Sequence, residues 1–445
     1  MTKTNRDQNY SSPEAAETYL APPPPADGKI IGVDGHPDTF TAAVFVGTTV
    51  HNARQVSCRQ DLGLDAFLAW AQSEFDARDL FLIESNANSF ELWRRLRAMG
   101  LRATVLDSVH VARHAKSYAD NDKMAAARIA WVYLAGAAPA VWVPDPKTCE
   151  RRELLHAYQK AVRDQTAAIN SLKGYLNQFA VRLGRRQPAT ATTRQWILAQ
   201  RDWSPLHREA LADAFAQLES HTSRRRHFVR LIGQEICAEP LMLRCMKLLG
   251  ISKINAFALL AVIGDIRRFD NPAKLVAYAG LNPGQRQSGH GKHIKLGLGR
   301  RGRGDLRHLL VQGAHAVLRT GKRTALGQWG WKLFARKGHR NIAVAAVARK
   351  MLVQVWHLLS GNPPTTLEPD KSLVIKLEKL VVLLGKEWRT RIGLTGKLTQ
   401  CIAQLQTRML APQAPQTDGG YAPPNPAPLA AEAFGGNLML PACGR

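Results

Sequence analysis

Two short apolar runs, each closed by a carboxylate, constrain this chain more than any other feature. Lys29-Ile30-Ile31-Gly32-Val33-Asp34 and Leu80-Phe81-Leu82-Ile83-Glu84 read as buried strands that end in an acid. The turn His36-Pro37-Asp38 leads from the first into a second strand, Thr39–Gly47, which makes a hairpin. Gly63–Arg78 and Ser89–Gly100 have helical apolar spacing, Ala103–Leu106 is a further short strand, and an Ala-rich helix runs from Asp122 to Leu134. Strands alternating with helices predict an α/β domain over residues 28–148.

Asp34 and Glu84 therefore sit at the C-terminal ends of strands, the edge at which open α/β sheets present ligands. Asp122 opens a helix. Converged on one edge, these acids would bind Mg²⁺. A pair of such cations about 3.5–4 Å apart can stabilise both the attacking and the leaving oxygen of a phosphodiester transfer. Each acid alone also has an ordinary reading, as a turn residue or a helix cap. Taken in this strand–hairpin–strand–helix order, they point to an RNase H-like fold.

The partner is legible from charge. The formal net charge is +26 and the isoelectric point is near 10.3, which makes nucleic acid the default polyanion. From Asp27 to Glu150 there are 13 Lys and Arg against 15 Asp and Glu; from Arg151 to Leu410 there are 45 against 15. A near-neutral front is followed by a polycation.

Within the polycation lies Ala279-Gly280-Leu281-Asn282-Pro283-Gly284-Gln285-Arg286-Gln287-Ser288-Gly289-His290-Gly291-Lys292, a Gly-rich loop without an acid. Lys295, Arg300, Arg301, Arg303 and Arg307 follow, with Asp305 the one acid nearby. Glycines let a backbone approach a phosphate closely, and the cations neutralise its charge. Ser288 can be read as a nucleophile or as a phosphate ligand. Upstream, Leu248–Phe269 is similar to a helix-hairpin-helix, with Ser252 where its second glycine usually stands and Lys253 beside the turn. Arg151 and Arg152 open the basic helical stretch and are further candidates for backbone contact.

The remaining organisation is coarse. Residues 1–27 and the Pro/Ala/Gly-rich 411–445 are expected to be disordered arms. Residues 149–238 are expected to be helical or coiled coil, with one helix over Glu150–Arg182 that lacks an evident cap and another from about Pro205 to Cys237. Residues 239–362 form a mainly helical domain around the serine loop, and 363–410 a last helical region. Six scattered cysteines without a Cys-x-x-Cys pair exclude a zinc ribbon and give no disulfide framework, so a reducing cytoplasm is expected. No apolar run is long enough for a membrane helix, and the N-terminus carries acids and no apolar signal core.

These motifs resemble those of the insertion-sequence transposases that join an N-terminal RuvC-like DEDD domain to a C-terminal serine domain, the bridge-RNA-guided recombinases. The resemblance covers about residues 29–360. It implies a metal site at Asp34, Glu84 and Asp122, a nucleophile at Ser288 in the Gly-Leu-x-Pro loop, and a covalent phosphoserine intermediate. It also implies donor and target DNA, a structured non-coding bridge RNA, a homo-oligomer (dimer or tetramer), and a bacterial cytoplasmic protein associated with the nucleoid. One departure stands out. The family places its fourth acid three residues after the third, and this chain has Ala125 there. An inactivated form would read this way. Two other readings stay open: a RuvC-type metal-dependent nuclease in which Ser288 only binds phosphate, and a catalytically dead nucleic-acid-binding remnant.

Overall fold

Strand β1 (Ile30–Gly35) pairs antiparallel with β2 (Phe40–Val46) and parallel with β4 (Leu80–Glu84). In the computed structural model, which describes residues 21–114, 121–286, 294–298, 302–320, 324–362 and 370–411, the chain divides into two units at Val143–Pro144. With β3 (Arg54–Leu62) and β5 (Arg102–Leu106), the first unit forms a five-stranded mixed sheet in the order β3-β2-β1-β4-β5.

The period-two alternation of the strands sorts the core into two layers. Ile31, Val33, Phe81 and Ile83 pack with α1 (Leu64–Glu74) and α2 (Ser89–Ala98) on one face. Ile30, Leu80 and Leu82 pack on the other face, which α4 (Asp122–Leu134) covers; α3 (Ser108–Ala112) is a short turn before it. The strands and helices expected here are present. The exception is β3, which the sequence reading passed over. Its residues are almost all exposed and polar, so neither apolar alternation nor a buried run marks it.

Gly32 sets how closely α4 can dock. A Cβ at this position would lie 2.1 Å from the carbonyl oxygen of Ala126, so a side chain on β1 would push the helix off the sheet. Ala126, Ile129 and Ala130 are fully buried against the strands. Small residues on both surfaces thus fix α4 against β1.

The second unit is almost wholly helical. Helix α5 (Pro146–Gln178) begins four residues earlier than the sequence suggested, and it does have a cap: the Asp145 carboxylate accepts a hydrogen bond from the Thr148 N–H at 2.9 Å, with Pro146 in the first turn. After α6 (Ala191–Leu198), α7 (Pro205–Ala238) runs back antiparallel along it. Gln165 Nε2 donates to Thr222 Oγ1 at 2.8 Å midway, and Arg151 meets Glu235 and Glu239 at one end.

Helix α8 (Pro240–Cys245) leads to α9 (Lys253–Ile263), in which Asn255 through Ile263 are buried. A helix that is apolar all round lies in the middle of a core. Around it are α10 (Pro272–Tyr278), α11 (Gly304–Thr320), α12 (Ala325–Lys337) and α13 (Arg340–Leu359), and α14 (Asp370–Arg391) and α15 (Leu398–Leu410) close the unit. Contrary to the sequence reading, one helix is long and apolar enough to cross a membrane. It is α13, and its Val344, Val347, Met351, Leu352 and Val355 are core residues of this unit.

Candidate functional site

The parallel register of β1 and β4 pairs Val33 with Ile83, so Asp34 and Glu84, one residue on in each strand, lie at the same end of the sheet. By strand alternation both fall on the face that α4 covers. Asp122, the first residue of α4, is brought to this edge by the docking that Gly32 permits. The Asn121 side chain caps the helix by accepting from the Met124 N–H.

His36 completes the group. Its Nε2 lies 3.2 Å from Asp122 Oδ1 and 3.7 Å from Asp34 Oδ2, and among the described residues Asp34, His36 and Asp122 offer ligand atoms that all fall within 4.8 Å of one another. Glu84 stands on the adjacent strand, partly buried. Ala125 is one helical turn beyond Asp122 and 9% exposed. The sequence reading treated His36 as a turn residue only. The signal available was its spacing, two residues after Asp34.

In the second unit, β6 (Pro283–Arg286) and β7 (Ile294–Leu298) pair as a two-stranded antiparallel ribbon. Its base is tightly built. Gly302 has φ +84°, and a Cβ there would lie 2.7 Å from both the Gly280 nitrogen and the Tyr278 oxygen. The Arg303 N–H donates to the Tyr278 oxygen at 2.8 Å, Arg307 Nη1 to the Gly280 oxygen at 3.2 Å, and Arg349 Nη2 to the Leu281 oxygen at 2.8 Å. Ser288, Lys292, Arg300 and Arg301 lie outside the described residues. Arg286 and Lys295 are placed by their backbones in β6 and β7.

Several of the basic candidates already have partners within the unit. Arg151 ion-pairs with Glu235 and Glu239, at 3.1 and 3.0 Å. Arg152 donates to the carbonyls of Ala261 and Val262 at the end of α9, both at 3.0 Å, and burial pushes its guanidinium pKa down. Arg303 forms a bidentate pair with Asp305, at 3.1 and 2.7 Å. Lys253, in the first turn of α9, has its ammonium pKa lowered by burial first and then by Lys379 and Arg225.

The hairpin between α8 and α9 is held from inside. Gly250 has φ +74° and packs where a Cβ would meet Val317, Gly313 and Met351. Ser252 caps α9 by accepting from the Asn255 N–H, and Lys376 Nζ donates to the carbonyls of Met246, Leu248 and Ile251.

Comparison with known proteins agrees on one group. Residues 243–327, from α8 through the ribbon to the start of α12, match the model of the Transposase IS116/IS110/IS902 family. The transposase for insertion sequence element IS1111A of Coxiella burnetii is 27% identical over 348 residues, covering 75% of this chain and 90% of that protein. A Pseudomonas aeruginosa protein described as a family 20 transposase is 28% identical over 277 residues, covering 60% of this chain and 80% of its own length. The transposase for IS1328 of Yersinia enterocolitica is 24% identical over 283 residues, covering 62% and 81%. Over residues 243–327 the chain is thus similar to the IS116/IS110/IS902 transposase family, and along more than half of its length it is similar to these transposases.

Proposed function

We propose that this chain is a DNA transposase that recombines DNA under the direction of a bridge RNA and cuts through a phosphoserine intermediate. One observation carries the reading: the family match at 243–327 encloses the cationic loop with Ser288, in a chain whose other unit gathers acids at a sheet edge. The strand order, with an antiparallel hairpin flanked by parallel strands and acids on β1, β4 and α4, supports an RNase H-like (RuvC-like) identity for the first unit.

In this reaction the Ser288 oxygen attacks a backbone phosphorus and gives up its proton, and a sugar oxygen leaves the phosphorus. A free hydroxyl of the partner strand then attacks the same phosphorus and releases the serine. Each step exchanges one phosphodiester for another, so no nucleotide hydrolysis is required. Arg286, Lys292, Lys295, Arg300, Arg301, Arg303 and Arg307 neutralise the phosphates near the serine. Base pairing with the RNA selects sequence, and the basic helices hold nucleic acid by charge. Cutting two duplexes calls for more than one copy of the chain.

The carboxylates of Asp34, Glu84 and Asp122 are hard oxygen donors of the kind Mg²⁺ takes, with His36 beside two of them. When bound, the cation would stabilise charge developing on the phosphate oxygens. The missing acid at Ala125 leaves this set one carboxylate short of the family pattern.

The test uses full-length protein with its co-purified RNA and radiolabelled donor and target DNA. Protein–DNA adducts that survive denaturation should form and should vanish in Ser288→Ala. Adducts retained by Ser288→Ala would refute the serine mechanism. Nicked DNA without any adduct would instead support the metal-dependent nuclease.

A further inference from the structure

The elbow between α12 and α13 carries a run of cations around an exposed aromatic ring. No Asp or Glu occurs between Asp305 and Glu368, a stretch that holds ten Lys and Arg. Helical spacing puts Trp331, Lys332, Ala335 and Arg336 on one side of α12, and all four are exposed. Leu326, Gly327 and Gly330, on the other side, are buried. A Cβ at Gly330 would lie 2.6 Å from the Leu318 side chain and 2.8 Å from that of Val347, so close packing on α11 and α13 fixes which side of α12 meets water. Gly338, at φ +71°, ends α12, and the exposed His339 and Arg340 lead into α13.

Trp331 is 38% exposed and yet held in place. Its Nε1 donates to the Leu318 oxygen on α11 at 2.8 Å, and its ring meets that of Phe334 edge-on at 5.6 Å. Leu318, Trp331, Phe334 and Arg340 line one shallow cleft, so a guanidinium from α13 shares a surface with the ring. Helix stability accounts for part of this charge, since Arg336 and Lys337 lie in the last turn of α12, where cations suit the dipole. It does not account for Lys332, which forms a like-charge i, i+4 pair with Arg336 that weakens the helix. Nor does it account for Arg340, the first residue of α13, at the end where a cation is unfavourable. Among the described residues, no carboxylate pairs with Lys332, Arg336, Lys337 or Arg340.

We infer that this elbow holds an unpaired stretch of DNA, with one base stacked on Trp331 and the neighbouring phosphates on Lys332, Arg336 and Arg340. An exposed ring among cations is the combination that grips a single strand: the charge follows the backbone, and the ring takes a base face that a duplex keeps covered. The bond to Leu318 fixes the ring beforehand and so lowers the cost of ordering it on binding. The inference rests on the proposed strand exchange, in which a cut strand with a free hydroxyl has to be held outside its duplex until it is rejoined. Helix α11 starts at the foot of the ribbon with Gly304, and Leu318 lies 14 residues along it, about 21 Å at the rise of an α-helix. A strand leaving the serine loop thus reaches the elbow along the length of one helix.

The experiment measures binding to the full-length protein by anisotropy, over a series of salt concentrations, for a fluorescein-labelled DNA strand without self-pairing, its duplex, and RNA of the same sequence. Trp331→Ala should weaken single-strand binding by about five- to 100-fold, the range for one stacked base, with the salt slope unchanged and duplex binding within about twofold of wild type. Trp331→Phe, which keeps a ring but loses the bond to Leu318, should retain most of the affinity. Equal losses in the two variants would assign the effect to that bond and overturn the site, as would a Trp331→Ala protein that binds the strand like wild type. Should Trp331→Ala fail to fold, Lys332→Gln combined with Arg340→Gln decides, since both side chains are exposed. This double variant should reduce the slope of log K against log salt for the single strand by about 1.4, two phosphate contacts at about 0.7 each. An unchanged slope would refute it. RNA bound more tightly than DNA, with the same dependence on Trp331, would overturn the assignment to DNA. A wild-type protein whose binding ignores salt would instead refute nucleic-acid binding itself.

Discussion

Ala125 is the position at which the proposed metal site is most directly tested. It is buried at 9% exposure, one turn along α4 from Asp122. Ala125→Asp would add a carboxylate to a site that already has several, and like charges without a cation repel. The variant should therefore be destabilised by about 1–3 kcal/mol in chelator, from burying a poorly paired polar group. Mg²⁺ or Mn²⁺ should restore its melting temperature and raise cleavage above the parent chain. A melting temperature indifferent to the cation would show that position 125 does not face a metal site. Asp34, Glu84 and Asp122 were legible from sequence because strand-end and helix-start positions follow from periodicity. His36 was not. A histidine in His-Pro-Asp has the appearance of a turn residue, and only the arrival of Asp122 in the fold sets it beside two carboxylates.

At the scale of elements, the polycation is partly spent inside the protein. Arg244 bonds the carbonyls of Met409 and Ala411, Arg408 those of Cys237 and Ile392, and Lys376 three carbonyls of the α8–α9 hairpin. Each places a cation against carbonyl groups at the end of a helix or hairpin, where it offsets their partial negative charge. A count of Lys and Arg cannot separate these from the surface, because the distinction depends on which helix ends meet. The same blindness hid β3, an edge strand of mostly exposed polar residues whose strand partner is β2, whereas α5 and α7 were visible through their long apolar stripes. Lys376→Met tests the capping role. It keeps most of the stem's packing and removes the donor to Met246, Leu248 and Ile251. Urea denaturation of the intact protein should show a loss of about 1–3 kcal/mol, the cost of stranding buried carbonyls. Unchanged stability would mean that water replaces the ammonium and that the hairpin is held by Gly250 packing instead.

Across the whole molecule, the division at Val143–Pro144 nearly coincides with the step in charge, from 13 basic against 15 acidic residues over Asp27–Glu150 to 45 against 15 over Arg151–Leu410. The two units therefore have different electrostatic tasks. A near-neutral sheet with clustered carboxylates repels a bare phosphodiester, and it can approach one only with a cation between them or when another surface delivers the strand. The helical unit attracts any polyanion and, through counterion release, does so with strong salt dependence. Binding should thus belong to one unit and the acids to the other. Expressed separately, residues 144–411 should bind a mixed-sequence duplex, with log K falling linearly against log salt. Residues 21–143 should bind at least tenfold more weakly at about 0.1 M salt, where the Debye length is about 10 Å. Circular dichroism of each fragment establishes that it is folded before the comparison is made. Equal affinities for the two folded fragments would show that sequence charge does not decide which unit holds the nucleic acid, and would move the search for its binding surface to the sheet.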